Sequence, residues 1–162
     1  MDATAAALLK SLNNQREHVL GILDGLGEQD LGRPVLPTGW TCAGLVHHLA
    51  LDVERFWFQA VIAGTPSPAG TGEEGASAWQ VPPGMTGAGA LSLYRSEIGR
   101  ADEIIAATPL DAAPAWWPDY FGTFRLADLR AVLLHVITET ACHAGHLDAA
   151  RELIDGRTWL IL

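Results

Sequence analysis

Four stretches of the chain repeat apolar residues at helical spacing, and none alternates as a strand would. The first runs from about residue 3 to 25, ATAAALLKSLNNQREHVLGILDG. There Leu8, Leu9, Leu12, Val19, Leu20 and Leu23 make an apolar stripe among good helix formers. The second, TCAGLVHHLALDVERFWFQAVIAG, begins at Thr41, a fair N-cap, and stops at Gly64 before Pro66. The third spans Thr86 to Thr108 and is closed by Pro109, its early glycines loosening the first turn. The fourth starts near Leu126, is the longest, and ends at Gly156, the residue type expected just past a helix C-terminus.

Residues 26–40, 65–85 and 109–124 read as irregular connections. The middle one, TPSPAGTGEEGASAWQVPPGM, is too rich in proline and glycine for a regular element. Its twenty-one residues exceed the usual loop, which fits a crossover between parallel neighbours or a lid over one end. With no repeat and no second pattern, the expectation is an all-α four-helix bundle forming one domain over residues 1–162.

Composition narrows what such a bundle does. A net charge of −9 opposes nucleic acid and anionic membrane surfaces, both of which call for a basic stripe. No apolar run is long enough to span a bilayer, and MDATAAALLKS lacks the basic start of a signal peptide, so a cytoplasmic location is expected. The two cysteines, Cys42 and Cys142, are then expected as reduced thiols.

The fourth helix contains HVITETACHAGH, residues 135–146, with three of the chain's six histidines. At ~100° per residue from His135, Glu139 falls at about 40°, His143 at about 80°, His146 at about 20° and Cys142 at about −20°. All five polar groups share one face, and Glu139 is the single ionised residue between Leu134 and Leu147. A solvated face would carry more charge, so the segment reads as mostly buried, with its polar groups in or near the core.

Glu139 and His143 sit four residues apart and project as neighbours, which is half of a metal site. The third ligand must come from another helix. His47 and His48 point ~100° apart, and His48 shares the stripe of Leu45, Leu49 and Phe56. His48, Glu139 and His143 together give two imidazoles and a carboxylate with one position open, the ligand count of a catalytic zinc site. Cys142, on the same face, is a rival ligand. His135 and His146, with His47 at the edge, read as supporting or cavity-lining groups. Trp116, Trp117, Tyr120 and Phe121, with Trp40, Trp57 and Trp79, read first as core and loop-anchoring residues, and the loop aromatics read second as the wall of a ligand cavity. Arg55, Arg125 and Arg130 read as ion-pair partners, one of which could hold an anionic substrate beside the site.

TGWTCAGLVHHLALDVERFWF and LRAVLLHVITETACHAGHLDAARELIDG resemble the DinB superfamily, in particular its branch related to mycothiol-dependent maleylpyruvate isomerase. The resemblance implies a four-helix bundle holding a divalent metal at one end. It implies one histidine from the second helix, matching His48 before Leu49, and two ligands four residues apart on the last, matching Glu139 and His143. It further implies Zn2+, with Ni2+ or Fe2+ as alternatives, used with mycothiol or another low-molecular-weight thiol by an S-transferase acting on a small-molecule substrate. The isomerase carries an additional C-terminal domain not found in these residues, so isomerisation itself is not expected. Relatives are often dimeric, and the tail TWLIL would pack on its own bundle or join a homodimer. A hydrolase activating water and a non-catalytic ligand-binding bundle are the competing functions.

Overall fold

The computed structural model describes residues 3–65 and 77–159, and among them every regular element is helical. Helix α1 spans Ala3–Leu23, α2 is a single turn at Glu28–Leu31, and α3 covers Cys42–His48. From Leu49 to Ile62 the chain winds on as a π-helix without a break, and α4 follows at Gly87–Ala107. A 3-10 turn at Asp119–Phe121 precedes α5, Leu129–Asp155. Among the described residues four long helical rods carry the fold, and the all-α class is the one the hydrophobic pattern predicts.

The caps explain the boundaries. The Thr41 and Thr86 hydroxyls accept from the N–H groups of Gly44 and Gly89, each 3.0 Å away. Asp128 does the same for Ala131 at 2.8 Å, so α5 begins three residues later than the apolar pattern suggests. Gly156 ends α5 with φ of 78°, a left-handed conformation that glycine adopts without strain. The sequence-based expectation leaves two short elements unassigned. Both α2 and the 3-10 turn are one turn long, too short for a period to register.

The second rod departs from a simple α-helix. Beyond His48 its backbone bonds close i→i+5 rings, and Ala63 N–H still donates to Phe58 C=O at 3.0 Å. Ten of its fourteen π-helical residues are buried, and the apolar spacing that marks the stretch as a helix does not reveal which winding it takes. In the wider turn, residues four and five apart share a side, which lines up Asp52 with Phe56 and Trp57. The last carbonyls are satisfied from outside, Val61 and Ile62 accepting from Trp116 and Ala115 at 3.2 and 3.3 Å.

α1 packs along α5, and α4 packs along both α3 and the π segment. Gly87, at the start of α4, lies against Leu31 of α2 beside α3, and Glu97 further on meets Arg55 and Gln59. Thus α4 runs in the same direction as the rod before it, the arrangement that a long crossover permits. Residues 66–76 of that crossover lie outside the described residues, as do 160–162 of the tail. The described end of the tail folds back on its own chain: Trp159 packs over Gly21, and its N–H donates to Asp148 at 2.6 Å. No described helix is long and apolar enough to cross a membrane.

Candidate metal centre and its cleft

His48 closes α3, and α5 carries Glu139 and His143 one turn apart. The three offer donor atoms that all lie within 4.8 Å of one another. His48 is the most enclosed of them, at 8% exposure. Its Nδ1 lies 2.9 Å from Asp52 Oδ2. An ionised carboxylate only accepts, so Nδ1 carries the proton and Nε2 keeps its lone pair. That Nε2 is buried, has no hydrogen-bond partner, and stands 3.9 Å from Glu139 Oε1. A buried nitrogen without a partner is costly unless something binds it, and two imidazoles with a carboxylate suit a divalent ion.

The other two donors are prepared in similar ways. His135 Nε2 lies 3.3 Å from Glu139 Oε2, leaving Oε1 turned toward His48. Burial pushes the Glu139 carboxyl up, but the His135 bond and the neighbouring imidazoles of His135, His48 and His143 hold it below its ordinary value. The His143 imidazole is pushed down to about 4 by burial and by the neighbouring His48 imidazole, with Glu139 opposing. At neutral pH it is uncharged, the form in which imidazole donates to a metal.

Trp79 covers this group from the far side. Its ring stacks on His48 at 4.3 Å and 17°, and meets His143 edge-on at 5.4 Å. Two contacts pin its backbone to α3. His47 Nδ1 donates to Ala78 C=O at 2.7 Å, and the Trp79 carbonyl lies directly over the Cα of Gly44. A Cβ at position 44 would sit far inside van der Waals contact distance of that oxygen. Gly44→Ala is therefore expected to lower stability by about 1–3 kcal/mol and to lift Trp79 away from His48. Thermal unfolding, with the change in tryptophan fluorescence on metal addition, checks this. Wild-type values for both would disprove the close approach.

Beside the three donors opens a cleft of about 630 Å³. One side is Thr138, Glu139, Cys142 and His143 of α5, and the other is aromatic. The polar face of α5 thus lines an open cleft instead of lying mostly buried. Cys142 and His146 are exposed, Glu139 and His143 half-buried, and even Leu134 is 51% exposed. The reason is spatial: among the described residues the π segment meets only part of this face, and the loop ahead of α5 stands across the cleft from the rest.

The supporting residues separate accordingly. His135 lines the cleft, holds Glu139 and packs edge-on against Trp57 at 4.6 Å. His146 reaches His143 Nδ1 at 3.4 Å and Trp40 at 6.4 Å. His47 is as buried as His48 but serves the Trp79 loop. Cys142 lines the cleft and falls outside the donor cluster. Both cysteines are free thiols, and burial pushes Cys42 up to about 11, leaving it inert. Arg130 is exposed and does not line the cleft, its N–H donating to Leu110 C=O. Arg55 is engaged by Glu97, and Arg125 lies 5.4 Å over Trp117 while donating to the carbonyls of Gly122 and Phe124. Sequence reasoning overlooks Asp52 and assigns Trp79 only a packing role. The i, i+4 spacing of His48 and Asp52 is a legible signal, whereas the contact of Trp79 with His48 is a long-range one.

The family described as Mycothiol-S-transferase matches residues 7–156. The chain belongs to that family. It sits within the DinB-like superfamily, in agreement with the resemblance carried by the second and last helices. No curated protein and no solved structure gives a match. The matched span takes in all three donors and the whole lining of the cleft.

Proposed function

We propose that this chain is a divalent-metal-dependent S-transferase that joins a low-molecular-weight thiol, mycothiol first among candidates, to a small electrophile. The observation that carries the reading is the bare, buried Nε2 of His48 within reach of Glu139 and His143 beside an open cleft. Family membership supports the thiol. His48, Glu139 and His143 would hold the ion, with zinc the best fit to their donor set and nickel or iron(II) next. Such an ion lowers the pKa of a thiol, so that the nucleophilic thiolate predominates at neutral pH.

The residues of the chain supply the rest. Asp52 fixes the tautomer of His48, and His135 fixes the carboxylate of Glu139, so neither donor must reorient when an ion arrives. Trp79 closes the side of His48 away from the cleft, excluding water there. The cleft itself is large enough for a thiol and an electrophile to lie together, and holding both in one place removes much of the entropic barrier to their reaction.

Mycothiol is expected to raise the melting temperature of the metal-loaded protein and to leave the metal-free protein unchanged. At a hundredfold excess over Kd the stabilisation is about 2.7 kcal/mol, several degrees for a chain of this length. A metal-loaded protein that shifts with no thiol would sink the transferase reading and favour water as the nucleophile.

A further inference from the structure

We infer that the electrophile taken by this cleft is an uncharged, flat aromatic molecule, and that carboxylate-bearing electrophiles are turned away. The inference rests on the S-transferase reading of the site and goes on to name its second substrate. The wall facing α5 is built from five rings: Phe56 and Trp57 of the π segment, and Tyr120, Phe121 and Phe124 of the preceding loop. Phe121 is their centre. It stacks on Trp57 at 5.8 Å and 22°, and meets Tyr120 and Phe124 edge-on at 4.9 and 5.8 Å.

Tyr120 and Phe124 remain 61% and 44% exposed at the rim. Rings held edge-to-face by their neighbours are rigid, and further aromatic surface placed on them gains burial as well as ring–ring contact. The volume of about 630 Å³ lies in the range of sites for drug-sized ligands.

Charge selects further. No lysine or arginine lines the cleft among the described residues, whereas two carboxylates, Asp52 and Glu139, do. Those carboxylates offset the charge of a divalent ion at the donor cluster, so no net positive field draws in an anion. Arg125, on the same loop as the rings, is turned onto Trp117 and held by two backbone carbonyls. A carboxylate entering here would shed its water and gain no cationic partner, which is expensive. A neutral ring sheds only unfavourable hydration.

In turnover, the thiolate sulfur would displace a leaving group from a carbon of the electrophile. The C–S bond forms, the bond to the leaving group breaks with its electron pair, and the thiol proton goes to solvent.

The experiment titrates zinc-loaded full-length protein, without thiol, with two unreactive probes of one shape, methyl 2-naphthoate and 2-naphthoate, followed by tryptophan fluorescence. The ester is expected to bind at least tenfold more tightly. Replacing the two exposed rim rings together, Tyr120→Ala and Phe124→Ala, should weaken the ester at least tenfold while the melting temperature stays close to wild type. Phe121→Ala, at the centre of the wall, should weaken it further. Equal or tighter binding of the carboxylate, no saturable binding of either probe, or an ester affinity indifferent to the rim substitutions would each overturn the inference. Because no thiol is present, these outcomes are read separately from the mycothiol shift. A cleft that prefers the ester in a protein indifferent to thiols would sink the transferase reading and leave the selectivity standing.

Discussion

Replacing His143 by alanine should abolish stoichiometric metal binding. Three donors converge here, and none is a spare. His48 keeps one lone pair for the site because Asp52 holds its other nitrogen, and Glu139 offers one oxygen because His135 takes the other. Removing the imidazole of His143 leaves a two-donor site. Losing a mere supporting group costs about 10–100-fold in affinity, so losing a ligand should cost more than about a hundredfold. His143 is uncharged well above pH 4, so at neutral pH no proton competes with an ion for its nitrogen.

Elemental analysis of protein purified without added metal, followed by competition against a chromogenic chelator, measures both quantities. Cys142→Ser is the paired control, since Cys142 lies outside the donor cluster and should be dispensable for the ion. Metal content that survives His143→Ala, or is lost in Cys142→Ser, would reassign the ligands. His135→Gln should fall between the two, at about 10–100-fold weaker binding.

Helix periodicity and capping residues made the architecture legible, because Thr41, Thr86 and Gly156 act locally, within a few residues of where they stand. The π winding was not legible. The apolar spacing of LALDVERFWFQAVI announces a helix, but with ten of fourteen residues buried it does not separate i→i+4 from i→i+5 winding. That His48, Glu139 and His143 come together was legible because two of them share a helix face and the third neighbours the apolar stripe of its own helix. Burial did not distinguish His47 from His48, since both are enclosed; what separates them is the loop carbonyl at Ala78 and the donors on α5.

The openness of the α5 face was misread for a related reason. Spacing tells which residues share a face, but what stands opposite is set by a loop whose aromatic residues act only once it is folded across the cleft. Arg16 was hidden in the same way. It sits in the polar run NNQREH of α1, whose composition suggests a solvated face, yet its side chain is 2% exposed.

Arg16→Met should be the most destabilising of the substitutions considered. The guanidinium grips Glu54 of the π segment with two bonds, Nε to Oε1 at 2.7 Å and Nη2 to Oε2 at 2.6 Å. Its Nη1 donates to Asn13 and to Asp102 of α4, both at 2.7 Å, so one side chain ties three rods together. Asp102 is 39% exposed and can rehydrate when the arginine goes, but Glu54 is fully enclosed. Leaving such a charge unpaired costs about 3–5 kcal/mol, on the order of 10 °C in melting temperature.

Two further measurements separate this origin from lost packing. Adding Glu54→Met to Arg16→Met should restore most of the loss, because a buried pair replaced by apolar groups of similar volume is often close to neutral. Acid should help the single variant too. In the native protein, burial already holds Glu54 above the ordinary carboxylate range, against the opposing bond and charge of Arg16. Without Arg16 that opposition is gone, and the folded-state pKa rises further above the unfolded one. The folded form then binds the additional proton, so the stability this provides is present below the unfolded pKa and lost as pH rises through the folded one. The deficit of Arg16→Met relative to wild type should therefore be smaller near pH 4.5 than at pH 7. A deficit that is the same at both pH values, and is not relieved by Glu54→Met, would mean that packing of the arginine stem, not the stranded carboxylate, sets the cost.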